Sequence, residues 1–383
     1  MTLRIGFISD AVFPWHVGGL EKTESIVAKE LVKNKDYKVE FVCCQWPGMQ
    51  KKFGYNNIMY NTIMKINNKQ FYKNQKRSTL NSIRYTLNMF KIFKYKYDVI
   101  IVNFFPILHI PIIRLYSKIT KTKMILDVAE IWDKNYWIEY LGKFFGEISY
   151  RYMRMSLKMA DAYIINSSLT AQRAIDEGVD FKKIDIFSPI IDAELMNNIL
   201  KSIKKRNKKI IYAARFIKEK RVDKFIYLID AFHKKYKKEK LNALLIGTGP
   251  EEDNINELIS ELNLMKIIKV RKPYYDIKDV YREIASSYIT YIPSEREGLS
   301  ALAIESIALN TPVLLPPETP IPKEVKDMCI VEFEENMPEL LRKILKSKNP
   351  SIFIKNKENL NMFIISRINK FYSKLFKRLL AKE

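Results

Sequence analysis

Apolar and polar positions along this chain fall into short blocks that alternate between two periods. Leu3 to Ile8 is a brief apolar run of buried-strand type. A loop at Phe13 to Glu21 follows, then a helical pattern from about Leu20 to Val32. The strand pattern returns at Lys38 to Cys44, Asp98 to Val102, Lys123 to Val128 and Ala162 to Asn166. Asn135 to Met159 reads as one long aromatic-rich helix, and Ser167, Ser168 and Thr170 are helix-start signals. The alternation pauses around Ser188 to Arg206, which reads as a crossing between domains. It restarts with strands at Lys209 to Ala213, Ala243 to Ile246, Ile267 to Val270 and Tyr288 to Ile292, with helices between them.

Two successive runs of strand–helix alternation predict an α/β chain of two Rossmann-like domains facing a central cleft. The expected division is 1–190 and 191–363, with a final basic amphipathic segment from about Phe353. In that tail Ile364, Ile368, Phe371, Leu375 and Leu379 recur at helical spacing among lysines and arginines. Such a stripe suits packing on a domain, or contact with a membrane surface.

A length of 383 residues leaves room for both domains. Charge changes the picture more. With 66 basic against 43 acidic side chains, the net charge is +23, which favours anionic partners: phosphates, an acidic membrane leaflet or nucleic acid. Lys51 to Tyr97 concentrates this bias, with Lys and Arg interleaved with Phe and Tyr and no Asp or Glu. That stretch suits an anionic membrane surface, single-stranded nucleic acid, or a solvated basic face whose aromatics are core. The three cysteines have no framework or metal spacing and read as reduced thiols of a cytosolic protein. The three histidines are too scattered for a metal cluster. No apolar run reaches the roughly 18–20 residues that span a bilayer, and the N-terminus lacks the shape of a signal peptide.

The candidate chemistry centres on Ser294 to Pro312. There Glu297 and Gly298 sit in a loop after a strand, and Glu305 lies about two turns into the helix that follows. The two carboxylates are placed to bracket one polyol, and the helix start, near Leu299, offers unpaired amides to an anion. Arg215 and Lys220 follow the first strand of the second run, a planar fork and a point charge that suit a diphosphate. Gly18 and Gly19, and Gly247 and Gly249, form two loops where backbone can approach a ligand. Asp127, Glu130 and Asp133 fall at or just past the end of a strand, where open sheets bind ligands. One of them is placed to orient an acceptor hydroxyl, and Asp133 equally suits a helix cap.

These motifs resemble the retaining nucleotide-sugar glycosyltransferases of the GT-B fold, family 4. The E-x7-E element at Glu297 and Glu305, the R-x4-K element at Arg215 and Lys220, GTGPE and the N-terminal GGLE carry the likeness, strongest from Lys209 to Val325. The resemblance implies that Arg215 and Lys220 hold the donor diphosphate and that Glu297 contacts the donor sugar. The amides of Gly298, Leu299 and Ser300 would face sugar or phosphate, and Glu305 would accept from the ribose hydroxyls. Gly18 and Gly19 would approach from the other domain, and a last helix, about 364–383, would cross back to that domain. It further implies transfer of a hexose-type sugar from a UDP- or GDP-linked donor to a lipid-linked or cell-surface glycan, without a metal or other cofactor, and, with the basic aromatic stretch, the motifs point to action at the cytoplasmic membrane face. A sugar-nucleotide epimerase of the same fold and a nucleic-acid-binding protein are the alternatives. The chain departs from the family pattern at Ala213 or Ala214, Arg221 and Asn310, where glycine is usual, and at Leu299–Ser300, where Phe-Gly is common.

Overall fold

The chain builds two parallel sheets, each with its own core. The computed structural model describes residues 2–16, 18–67, 71–73, 76–274 and 276–381. One unit comprises Met1–Pro189 and Ile365–Glu383, the other Ile190–Ile364.

The main sheet of the first unit comprises β1 (Leu3–Ile8), β2 (Tyr37–Gln45), β3 (Lys52–Tyr55), β4 (Ile58–Lys65), β5 (Val99–Asn103), β6 (Lys123–Val128), β7 (Ala162–Ile165) and β8 (Ile184–Ile186), beside a small antiparallel pair, Tyr72–Lys73 with Lys76–Arg77. They lie in the order β8-β7-β6-β5-β1-β2-β4-β3, parallel except for the β3–β4 hairpin at one edge. Every residue of β5 is buried, which is why Val99–Asn103 reads as a continuous apolar run rather than an alternating one. The helices are α1 (Gly19–Leu31), α2 (Thr79–Asn88), α3 (Ile110–Thr120), α4 (Lys134–Leu141), α5 (Lys143–Leu157) and α6 (Ser168–Asp176).

The second unit has helices α7 (Ala193–Ser202), α8 (Val222–Lys235), α9 (Glu252–Glu261), α10 (Ile277–Ala285), α11 (Ala301–Ala308), α12 (Lys323–Lys326) and α13 (Met337–Lys346). Its strands β9 (Lys209–Ala213), β10 (Asn242–Ile246), β11 (Ile268–Arg271), β12 (Ile289–Tyr291), β13 (Val313–Leu315) and β14 (Ile330–Val331) run β11-β10-β9-β12-β13-β14, all parallel. The order reverses direction beside β9 and β12, so the loops after these two strands emerge side by side at one end of the sheet.

Several expectations change in the structure. The aromatic-rich helix is two, α4 and α5, because Gly142 takes φ +81° between them. Asp133 is a cap: its carboxylate accepts from the Tyr136 amide at 2.9 Å. The pause at Ser188 to Arg206 contains α7, begun by Asp192 accepting from the Leu195 amide. The tail is α-helical only over Ile368–Leu380 (α14), after 3-10 turns at Lys357–Phe363 and Ile365–Arg367, and Ile368, Tyr372, Leu375, Phe376 and Leu379 are buried in the core of the first unit. Its apolar stripe is therefore spent on packing, reinforced by Asn369 donating to the Glu30 carbonyl and by the Arg378–Asp185 pair.

The basic aromatic stretch is divided. Tyr60, Phe71, Tyr85 and Tyr97 point into the core, while Leu80, Ile83, Leu87, Phe90 and Phe93 stay exposed on α2 and the 3-10 turn that extends it, Met89–Lys94. Among the described residues no helix is long and apolar enough to cross a membrane.

Three positions where the family pattern has glycine adopt a left-handed backbone here: Arg221 (φ +46°), Ser300 (φ +65°) and Asn310 (φ +60°). Asn tolerates this region well. Arg221 is compensated by ion pairs to Asp223, at 2.8 Å, and to Glu295. Ser300 begins α11 without a side-chain cap bond, so little offsets its strain. Ser300→Gly is expected to stabilise the fold by about 0.5–1 kcal/mol, whereas Arg221→Gly is expected to lower stability. Thermal unfolding of the two variants beside the parent measures the contrast.

Candidate active site

The loop from β9 to α8 carries Arg215 and Lys220. It is held down by the loop after β10, whose glycines have a structural reason. A Cβ on Gly247 would stand 1.9 Å from the Ala214 carbonyl oxygen, and one on Gly249 2.3 Å from that of Phe216. The two loops are stitched by Ala214 donating to the Ile246 carbonyl and Phe216 to that of Thr248, each at 3.0 Å. Gly247 and Gly249 were expected to bring backbone close to a ligand. In the direction of a Cβ the close approach is to the chain's own backbone, and it fixes the segment that bears Arg215. Buried Phe216 anchors that segment and leaves its neighbour Arg215 on the surface.

The loop from β12 to α11 carries the glutamates. Lys220 and Glu297, far apart in sequence, meet: Lys220 Nζ donates to Glu297 Oε1 at 2.7 Å, with both side chains largely buried. Beneath them lies Tyr212 of β9, 1% exposed. Its hydroxyl donates to the Lys220 carbonyl at 2.9 Å and accepts from the Ser294 hydroxyl at 2.9 Å. One phenol thus ties the cation-bearing loop to the carboxylate-bearing loop. The Glu295 amide adds a second tie, to the Glu219 carbonyl at 2.9 Å.

Glu305 stands in α11, partly exposed, with Tyr281 of α10 donating to its Oε1 at 2.8 Å. Burial, then the Glu305 charge, push the Tyr281 phenol far above its ordinary range, so it remains a donor. Leu299 was expected to offer its amide. Its side chain is 7% exposed and belongs to the core of the second unit, which leaves only its backbone for a ligand. Ser300 is also buried, and Gly298 is partly exposed at the loop tip.

In the first unit Asp127 lies near the C-terminal end of β6, beside Asn103 of β5 and Ile164 of β7. Part of its surface is open, but protein crowds the carboxyl, and desolvation pushes it up to about 7. Glu24 of α1, 2% exposed, was missed by sequence reasoning. Burial, then the neighbouring Asp127 charge, raise its carboxyl well above the usual range. Asp10, just past β1, was missed too. Arg77 Nη2 reaches both of its oxygens at 2.5 Å. A polar Ser-Asp pair directly after an apolar strand was the signal available. Gly18 precedes α1 in extended backbone, and Gly19 opens the helix with nothing near its missing Cβ.

The chain compares with known proteins as follows. The family model of Glycosyl transferases group 1 matches residues 198–360, and that of Glycosyltransferase Family 4 matches residues 17–195. Sucrose-phosphate synthase from Thermosynechococcus elongatus superposes with a TM-score of 0.77 at 14% identity, covering 100% of both chains. Anabaena HepE, solved in complex with UDP and glucose, gives 0.72 at 14% identity over 98% of this chain and 100% of its own. Trehalose-6-phosphate synthase OtsA gives 0.76 at 11% identity over 98% and 99%. Two parallel α/β units with these neighbours define the GT-B class. An uncharacterized glycosyltransferase of Haemophilus influenzae is 25% identical over 158 residues, 40% of this chain and 43% of that protein. The chain thus spans less than half the length of that curated relative. With both halves matched by its models, the chain belongs to the family 4 glycosyltransferases.

Asp127 gives a pH test. Its carboxyl rises from an ordinary 3.8 to about 7 on folding. A folded chain that keeps a proton the unfolded chain loses is most stable below about pH 4, and that contribution fades as pH rises through about 7. Asp127→Asn removes the penalty on the ionised form. Its Tm relative to the parent should therefore be higher, by a few °C, at about pH 8 than at about pH 4. A difference independent of pH would refute the buried-carboxyl assignment.

Proposed function

We propose that this protein is a retaining glycosyltransferase that moves a hexose-type sugar from a UDP- or GDP-linked donor to a hydroxyl of a lipid-linked or cell-surface glycan. The observation that carries the reading is the Lys220–Glu297 pair, set by Tyr212 beside the Arg215 loop and followed in the same segment by Tyr281-held Glu305. Arg215 and Lys220 bind the donor diphosphate. Lys220 shares its charge between Glu297 and a phosphate oxygen, so the carboxylate orients the ammonium before donor binds. Glu297 also accepts from donor-sugar hydroxyls, and Glu305 accepts from the ribose.

In the transfer, the bond from the sugar's anomeric carbon to the diphosphate oxygen breaks, and a bond to the acceptor oxygen forms on the same face. The acceptor proton passes to the departing phosphate oxygen. Negative charge grows on the diphosphate as it leaves. Arg215, Lys220 and the amides of Gly298, Leu299 and Ser300 stabilise it there. These cations supply the charge that a metal supplies elsewhere, and we propose a metal-independent reaction on that chemistry. The first unit takes the acceptor, with Asp127 accepting from its hydroxyl and Gly19 leaving room at the start of α1, while the space beside Gly18 is taken by the Glu21 carboxylate. The reading places the protein in polysaccharide biosynthesis, at the cytoplasmic face of a membrane.

Incubation with labelled UDP- and GDP-sugars tests it. One donor class should show transfer or slow hydrolysis, and Lys220→Ala and Glu305→Ala should each lower turnover at least about tenfold. Product of the same anomeric configuration as the donor supports retention. Variants equal to the parent on every donor would refute the site.

A further inference from the structure

One flank of the first unit carries exposed apolar side chains that its core does not use. On α2 and its 3-10 extension, Leu80, Ile83, Leu87 and Phe90 recur three or four residues apart and are 68%, 45%, 62% and 52% exposed. That spacing places them along one face of the helix. On α5, Phe144, Phe145 and Ile148 are 71%, 65% and 50% exposed, and on α3 Ile119 is 63% exposed. These elements are neighbours around the buried turn Ile107–His109. Tyr85 of α2 packs its ring on His109 with centroids 5.3 Å apart. Phe93 meets Tyr116 of α3 at 5.5 Å. Tyr152 of α5 donates to the Leu108 carbonyl at 3.0 Å.

The same flank is cationic. Arg84 and Lys94 accompany the first stripe, Lys118 lies one residue before Ile119, and Lys143 and Arg151 flank the aromatic pair, all exposed. Neither α2, its extension nor α3 contains Asp or Glu. In α5 the one acidic residue, Glu147, is paired with Lys134 at 3.1 Å. Phe144, Ile148, Lys143 and Arg151 also line an open hollow of about 390 Å³.

We propose that the α2–α3–α5 flank docks on an anionic lipid bilayer, with its apolar stripes in the acyl boundary and its cations among the head groups. Exposed apolar area on this scale is costly in water and calls for an occupant. A second copy of this chain would set the same cations against each other. An anionic leaflet supplies apolar depth and opposite charge together. The proposal relocates the membrane contact. The basic stretch from Lys51 sends several of its aromatics inward, the α14 stripe is buried, and α5 enters although it lies outside that stretch. Docking stands on surface chemistry alone, and rests on the proposed function only in that it would bring the enzyme to a lipid-linked acceptor.

Flotation of the full chain with phosphatidylglycerol-containing and pure phosphatidylcholine vesicles tests it. The parent should float with the anionic vesicles, less so at high salt, and little with the neutral ones. The double variants Leu87→Glu/Phe90→Glu and Phe144→Glu/Ile148→Glu should each lower the bound fraction about tenfold or more. Phe333→Glu, a matching change in the other unit, should leave it unchanged. Unfolding temperature and UDP or GDP affinity, measured on the same samples, should match the parent and exclude misfolding. Failure of the parent to float, equal floating with both vesicles, or floating by the double variants at parental levels overturns the proposal. Loss of vesicle binding with intact nucleotide affinity supports docking whatever the transfer assay shows. Absence of any donor turnover would instead count against the proposed function alone.

Discussion

The Tyr212 phenol is the contact on which the candidate site depends. It sits at the seam between β9 and β12, where two loops leave the sheet in parallel, and bonds one atom from each. With its hydroxyl donating to the Lys220 carbonyl and accepting from Ser294, neither loop shifts without exposing a buried polar atom. The Lys220–Glu297 pair then follows from backbone position, not from a search by two flexible side chains. That is how a site spread over many residues of sequence is kept ready before a ligand arrives.

The same logic explains the glycines that remain and those that are gone. Gly247 and Gly249 remain because another backbone occupies the space of a Cβ. Arg221, Ser300 and Asn310 stand at left-handed positions without being glycine. Each has a different standing: Arg221 is braced by two carboxylates, Asn310 is suited to the conformation, and Ser300 carries strain at the start of the helix that bears Glu305.

Much of this was legible in the sequence, for physical reasons. Fully buried parallel strands announce themselves as short apolar runs, so β1 lies at Leu3–Ile8 as read, and the doubled alternation gave two sheets. The paired glutamates and the Arg–Lys element were legible because they are charged residues in or just after loops that follow apolar strands. Tyr212, Tyr281 and Glu24 were not. Their importance lies in contacts made across many residues, and a strand tyrosine or a helix glutamate looks ordinary in sequence. The basic aromatic stretch misled in part: composition shows that aromatics are present, not which face of a helix or strand they take. Tyr85 is buried while Leu87, two residues on, is exposed.

The central claim is that Glu305, held by Tyr281, reads the ribose of a bound nucleotide. Equilibrium titration of the parent and of Glu305→Gln with UDP and GDP, and with their 2′-deoxy counterparts, tests it most directly. The account predicts that the parent binds one ribonucleotide about tenfold or more tightly than its deoxy form, and that Glu305→Gln loses most of that preference. Undiminished discrimination by the variant, or a parent that binds neither UDP nor GDP, would contradict it.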